Sequence, residues 1–526
     1  MSETVSREDV QLSGHPSSSP GVLSPYYSLH GRKQIFTSET EVNAGNIVKV
    51  LNKALEVHQS NRQDEIYLEK RLRGIQPILD RVKVFNGDIC NKICVNIDNQ
   101  IVTFKVAEFV GEPIQYVARD GGEETLTKVK QLNSLMFSEG KQTKDMTLAY
   151  KMFTVGVGYR LLLRDKALAV ARGELEDEAP FEIYTPDPQN TFVIRCNNVQ
   201  KNIVAGVTYV YLDDRDVENH VQYTVYTPDS VIVLEGTPVQ AERIISVTQH
   251  NFGMVPLFEY PCNGVYMAPA EVVIPLIDAY NTVTSNRVDG VEQFVQALLV
   301  FEGLEVTIEE IRKIKELGAL SLPPAMDGRQ SKVYYLCEQL DQKQTQTLVD
   351  DLYQLILQIV GMPSQGNANT SDSSNNGAMI MKSGWWNAEA RCLETEGMWK
   401  DAESQFLKAV LKICREANVL NDLKLSDIDI RFMRHSYEDK TVKTQSFTSL
   451  IAAGCSPIQA FKLSGIATDP ESEAIVFAAY QEQKREEIET SLQEELSRAR
   501  TEAVRTGRRS NTKAEPADNS ETEQIG

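Results

Sequence analysis

The chain has 526 residues, with 54 basic and 74 acidic side chains and a net charge of −20. At 41% hydrophobic and 24% charged, it is a globular composition too long for a single core, and about two to four domains are expected. The acidic balance excludes a protein that grips nucleic acid tightly through its phosphates, because such a protein is normally basic.

No run of about 18 apolar residues occurs, so no membrane-spanning helix and no membrane partner are expected. The N-terminus lacks the apolar region of a signal peptide. Residues 1–30 are rich in Ser, with Pro16, Pro20 and Pro25, and read as a mobile arm. Glu41 to Gln59 has helical spacing at Val48, Leu51, Leu55 and Val57, and Gln63 to Leu72 reads as a second amphipathic segment. Pro77, Gly87 and Pro113 punctuate the next stretch, in which Ile93–Ile97 and Ile101–Val106 suit short strands. Helices are expected over Glu123–Glu139 and Thr143–Thr154.

From Gly156 to Tyr260 the pattern becomes β. GYRLLL, FEIYTP, TFVIRC, VAGVTYVYLDD, HVQYTVYTP and SVIVLEG are short runs of Val, Ile, Tyr and Thr separated by turn residues such as Pro186, Asn197 and Pro228. Gly156 and Gly158 form a GxG without a third glycine, which does not make a dinucleotide site.

Next comes HNFGMVPLFEYPCNGVYMAPAEVV, turn-rich and apolar, and then a rod from about Ala270 to Val300. Leu276, Tyr280, Val283, Val288, Val291, Val295 and Leu298 carry its apolar stripe, with a one-residue break at Arg287–Val288. At about 1.5 Å per residue the rod is roughly 45 Å long. A second rod, Thr345 to Val360, is striped by Leu348, Leu352, Leu355 and Ile359. Neither rod covers its own apolar face. A monomeric bundle and an assembly of copies satisfy the two stripes equally well.

Between the rods, Thr307 and Glu310 form a capping box, Gly318 suits the helix stop, and ALSLPP and KVYYLC read as strands. After the second rod comes GMPSQGNANTSDSSNNG, whose composition cannot bury a core. A long helix over Gly377–Asn418 follows, with Gly384 and Gly397 inside it as candidate kinks. Ile428, Ile430 and Phe432 alternate as a strand. Lys440–Ala453, Ser456–Leu463 and Glu471 to about Val504 are helical, with Ser456-Pro457 as an N-cap. Arg508–Gly526 reads as a disordered tail.

The chain carries no phosphate loop, no HExxH and no GxSxG. Its eight cysteines are scattered. Cys90 and Cys94 form the only close pair, and nothing beside them completes a metal set. Reduced, structural cysteines are therefore expected, with no catalytic, metal or cofactor site.

HNFGMVPLFEY, LIDAYNTVTSNRVDGVEQFVQALLVFEG and the polar loop opening a helix together resemble the portal proteins of tailed bacteriophages, in the branch found in phages of Gram-positive hosts. The resemblance implies an α+β portal fold with long stem helices, a β-rich wing, a small α/β clip and a helical crown. It divides the chain into an N-terminal arm (1–40), wing (41–268), stem helix (269–303), clip (304–340), second stem helix (341–360), tunnel loop (361–377), long wing helix with return strand (378–440), crown (441–504) and tail (505–526). It further implies a ring, a dodecamer, at one capsid vertex of the virion, made in the host cytoplasm and admitting double-stranded DNA driven by a separate terminase.

By resemblance, Ser364, Gln365, Asn367, Asn369, Thr370, Ser371, Asp372, Asn375 and Asn376 form the tunnel loop facing DNA, with Lys382 just after it. A loop with a single charge offers hydrogen bonds without a salt-dependent grip. Glu309, Arg312, Lys313, Glu316, Lys332 and Tyr334 would be clip contacts to the terminase large subunit and a head-completion protein. Wing and crown would meet the major capsid and scaffold proteins. Two readings from other classes are a nucleic-acid-processing enzyme with an unrecognised site and a ring-forming virion adaptor without a DNA channel.

Overall fold

The structure is a computed structural model. It describes residues 31–83, 87–119, 122–164, 179–212, 220–250, 252–295, 298–302, 332–336, 342–363, 384–432, 440–467 and 469–510. Among the described residues it is mixed α and β, 56% helical. The chain divides into two compact units, one of residues 1–116, 130–425 and 430–437, the other of 117–129, 426–429 and 438–526.

In the first unit, strand β1 (Ile35–Thr37) leads to one helix, α1 (Ile47–Leu72), where the sequence suggested two. Ser60, Asn61 and Arg62 do not break it, because the Asn61 amide bonds sideways to both backbone groups of Lys33, at 2.9 and 2.8 Å, and leaves its own turn intact. The same bonds anchor residues 32–37, so this part of the expected arm belongs to the body.

A second correction is α2 (Ile97–Val110), a helix where a strand was expected over Ile101–Val106. Asn96 caps it by accepting from the Asn99 N–H. Its buried residues Ile97, Ile101, Val102, Lys105, Val106 and Phe109 follow the helical period. The β-branched content misleads, because packing overrides propensity. Residues 91–96, ahead of it, form no strand.

Strand β2 (Gln115–Ala118) and helices α3 (Glu123–Ser138) and α4 (Lys141–Val155) follow. Gly156 ends α4 at φ +90°, where a Cβ would strike the Tyr266 carbonyl at 2.2 Å, so the GxG exists for chain geometry.

The β region contains β3 (Val157–Arg164), β4 (Phe181–Tyr184), β5 (Thr191–Cys196), β6 (Ile203–Tyr211), β7 (Val221–Tyr226), β8 (Ser230–Thr237), β9 (Gln240–Gln249) and β10 (Leu257–Pro261). A six-stranded sheet runs β1-β5-β6-β7-β8-β9, with β1 parallel to β5 and the other pairs antiparallel. Leu51, Ala54 and Leu55 of α1 join Val207, Tyr223, Val225, Ile232 and Leu234 of the sheet in one core. Each Leu, Ile or Val so removed from water stabilises by about 1.5–3 kcal/mol. Strand β9 is not evident in the sequence, because it is an edge strand with mostly exposed residues and no clean alternation. A three-stranded sheet, β10-β3-β4, completes this region.

The first rod is shorter than expected. Helix α5 covers Ile274–Val295, and Leu298–Glu302 is instead strand β11, paired antiparallel with β12 (Lys332–Leu336). Leu298 therefore leaves the helical stripe: its backbone pairs with Leu336. The predicted strand KVYYLC is β12. Helix α6 (Gln342–Val360) and helix α7 (Trp385–Glu416) follow. Gly384 is not inside α7 but immediately before it, in the left-handed conformation at φ +84°, while the helix runs unbroken through Gly397.

Strand β13 (Ile428–Arg431) stands where alternation predicted it. In the second unit, α8 (Lys440–Ala452), α9 (Pro457–Ser464) and α10 (Pro470–Ser510) stand where three helices were expected, with α10 running past the expected end near Val504 into the first residues of the expected tail. Phe447, Phe461 and Phe477 pack together, with ring centroids 4.4 to 6.0 Å apart. Ser456 caps α9, with Pro457 at its first position and Gly465 at its end.

Candidate functional site

Helix α5 has three differently used sides. On one, Asn281, Ser285 and Asp289 recur every four residues and are fully buried. They face the extended segment ahead of α2. Val95 N–H donates to Asn281 Oδ1 at 2.9 Å, Ile93 N–H to Ser285 Oγ at 3.0 Å and Asn91 N–H to Asp289 Oδ1 at 2.7 Å. Alternate amides of a strand-like segment are thus satisfied by helix side chains rather than by another strand. Each bond contributes about 0.5–1.5 kcal/mol, and more where the acceptor is charged.

The ends of this ladder are ionic. Arg71 joins Asp98 at 3.2 Å and Asp278 at 2.8 Å, and the Asn281 amide donates to Gln76 at 2.6 Å. Arg81 and Lys83 hold Asp289 at 3.0 and 2.5 Å. Burial alone would raise the Asp289 carboxyl, but bonds from Lys83 and Asn91 and the Arg81 charge outweigh it and hold it at about 2. Helix α5 is therefore fixed rigidly to the body.

On its second side α5 meets α6. Tyr280 packs on Tyr353 with ring centroids 6.1 Å apart, and Arg287 bonds to Gln346. Leu276 and Tyr280 of the predicted stripe belong here, packed on a core containing Ile97, Ile101, Ile277, Ile356, Leu357 and Val360. Val283 is half-buried. The third side keeps Val288 and Val291 in the open at 38% and 44% exposure.

Helix α6 is apolar on more than one side. Val349, Ile356, Leu357 and Val360 are buried in its own chain. Leu348, Leu355 and Ile359, at 47%, 43% and 36% exposure, form a strip beside them, with half-buried Leu352 between. The strip repeats at four, three and four residues, the spacing of a surface that receives another helix.

A buried ionic cluster fixes α7. Glu403 accepts from Arg160 at 2.9 Å, Lys141 at 3.1 Å, Tyr116 at 2.5 Å and Tyr260 at 2.8 Å. Asp145 pairs with Lys141 at 2.5 Å and also with Arg160. Burial would push the Glu403 carboxyl up, yet the two cations and two phenol donors hold it well below the usual carboxylate range. Both carboxylates, both cations and both phenols in this cluster are paired with one another, so it serves the fold.

Ser364–Asn376 and Lys382, expected as the tunnel loop, lie outside the described residues, as do Glu309, Arg312, Lys313 and Glu316, expected as clip contacts. Lys332 and Tyr334 fall on β12. The side chain of Val295, at the end of α5, is also outside the description. The polar ladder was not expected; its one sequence signal is Asn281, Ser285 and Asp289 four apart on a helix otherwise striped with apolar residues. Among the described residues no group of three or more His, Cys, Asp or Glu could hold a metal ion, and no helix is long and apolar enough to cross a membrane.

Comparison with curated proteins returns no match. Among solved structures, the chain is similar to one from the neck of an empty GTA particle computed with C6 symmetry. Identity is 11%, coverage 77% of this chain and 94% of that one, and the TM-score 0.43. It is also similar to a chain from the virion of a native gene transfer agent (GTA) particle, at 10% identity, with the same coverage and a TM-score of 0.40. The family model described as phage portal protein, SPP1 Gp6-like, matches residues 53–494. With that model spanning most of its length, the chain belongs to the SPP1 Gp6-like family of phage portal proteins.

Proposed function

We propose that this chain is the subunit of a portal ring, placed at one capsid vertex and forming the channel through which double-stranded DNA enters and leaves. The observation that carries the ring is the strip Leu348, Leu352, Leu355 and Ile359, left open beside a face of α6 that its own chain fills. Apolar side chains at helix-packing spacing favour an apolar partner, and adjacent copies in a ring supply one at every subunit. Val288 and Val291 of α5 supply a second open apolar surface on the same pair of helices. The ladder on α5 suits the role, because a stem that guides a passing polymer needs a rigid attachment.

In this reading α5 and α6 are the stem, and the segment around β11 and β12 is the clip, which docks the terminase large subunit and later the head-completion protein. Ser364–Asn376 is the tunnel loop in contact with DNA. The chain translocates nothing by its own chemistry; the terminase supplies the work.

End-on electron microscopy of the purified protein is expected to show closed rings, and monomers under all conditions would overturn the proposal. Deletion of Ser364–Asn376 is expected to leave rings intact and abolish DNA packaging. Unchanged packaging would favour a ring adaptor without a channel.

A further inference from the structure

A cavity of about 150 Å³ lies where the two stem helices join the body. Pro269 and Val272 just before α5, Ile359 and Val360 at the end of α6, Arg391 and Thr395 of α7, and Lys105 of α2 line it, together with Cys262 and Cys392. Lys105 is only 5% exposed. Among the described residues its ammonium makes no hydrogen bond or ion pair; burial disfavours its charged form, and the Cys262 and Cys392 thiols, the Arg391 guanidinium and the Glu108 carboxylate form its electrostatic surroundings. A largely buried ammonium that makes no hydrogen bond within its own chain is disfavoured, and buried charges are normally paired. Here there is unfilled space beside it. A water molecule takes about 30 Å³ of liquid volume, so the cavity has room for a small polyatomic ion.

We propose that this cavity is a receptor for a small carboxylate, held by Lys105 and flanked by Arg391. The fit is chemical. A carboxylate supplies the hydrogen-bonded acceptor that the Lys105 ammonium lacks, and Asn263 and Thr395 add polar groups to the wall. Glu394, also in the lining, pairs with Arg391 at 3.7 Å and is 65% exposed, so it stands towards the solvent side. Two sources share this chemistry: a free carboxylate ion, or an Asp or Glu side chain from a neighbouring copy. The second is sterically natural because Ile359 belongs both to the cavity wall and to the open strip of α6. In either case the bound carboxylate ties α2, α6 and α7 together at the root of the stem.

The test is thermal unfolding of full-length protein in sodium acetate, balanced at constant ionic strength by the bulky sulfonate MES. Wild-type protein is expected to melt several degrees higher as acetate replaces MES, and Lys105→Met is expected to show no such response. A response in both separated subunits and rings assigns a free ion. A response in separated subunits alone assigns a neighbour's carboxylate, an arm that also requires the ring reading. Should Lys105→Met fail to fold, reductive dimethylation of the wild type, mapped by mass spectrometry, gives a second readout: acetate is expected to slow modification of Lys105 selectively. No acetate response in the wild type, an equal response in Lys105→Met, or modification indifferent to acetate overturns the proposal. None of these failures bears on ring formation.

Discussion

Val207, Tyr223, Val225, Ile232 and Leu234 of the large sheet are wholly covered within their own chain, whereas Leu348, Leu355 and Ile359 of α6 are each at least 36% exposed. Both sets are apolar and regularly spaced. The difference lies in what the chain places opposite them. Helix α1 lies across the sheet and closes it. Around α6 the chain fills one face with Ile356, Leu357 and Val360 and leaves the adjoining strip open. The sheet region is closed within the single chain; the α5–α6 pair leaves apolar surface open. Substitutions should therefore separate folding from assembly.

The largest expected effect on folding comes from the ionic cluster. Glu403→Leu removes one of the two carboxylates that Arg160 and Lys141 share, and a loss of about 3–5 kcal/mol is expected for breaking such a buried pair. Denaturant unfolding of the first unit checks it. An unchanged midpoint would show that Asp145 alone satisfies both cations.

Asp289→Asn is expected to lose about 1.5–3 kcal/mol, the range for hydrogen bonds to a charged group. The carboxyl is held below its ordinary value, so its contribution is present above the normal carboxylate range. That contribution fades as pH falls through about 2. Acid unfolding should begin at higher pH without this ladder end only in so far as other carboxylates then dominate; the direct check is that the stability gap between wild type and Asp289→Asn closes towards pH 2.

Glu65 gives a pH dependence of opposite sign. It is buried without a hydrogen bond to Oε2, and burial pushes its carboxyl up to about 8. The folded state then holds a proton that the unfolded state has lost. Stability falls as pH rises from the ordinary carboxylate range through about 8. Glu65→Gln should flatten that slope, and thermal melts from pH 5 to about pH 9 read it.

The smallest effect on folding and the sharpest on the comparison is expected from Leu355→Asp. The substitution is at the surface of a single chain, so stability should stay within about 0.5 kcal/mol. Light scattering should show assembly lost while circular dichroism is unchanged. A destabilised monomer would mean that the strip already belongs to the chain's own core.

What could be read from the sequence was local. The four-three-four spacing of Leu348, Leu352, Leu355 and Ile359 marks the open strip directly, and Ser456-Pro457 marks the start of α9. Strand β8 was visible because its residues alternate between buried and half-buried along its whole length. What escaped depends on distant partners. Glu403 looks like any helix glutamate until Arg160, 243 residues earlier, meets it. Ile101, Val102 and Val106 suit a strand by type, and their helix is settled by the Asn96 cap and by packing on α5 and α6. Asn281, Ser285 and Asp289 look like solvent-facing residues, because the segment that uses them is not in their own helix.

One measurement reaches the central claim most directly: cryo-electron microscopy of the purified protein at side-chain resolution, viewed for the surroundings of α6. The expected result is a closed ring in which Leu348, Leu355 and Ile359 are covered by the adjacent copy. A particle in which these three side chains still face solvent, whatever its oligomeric state, would contradict it.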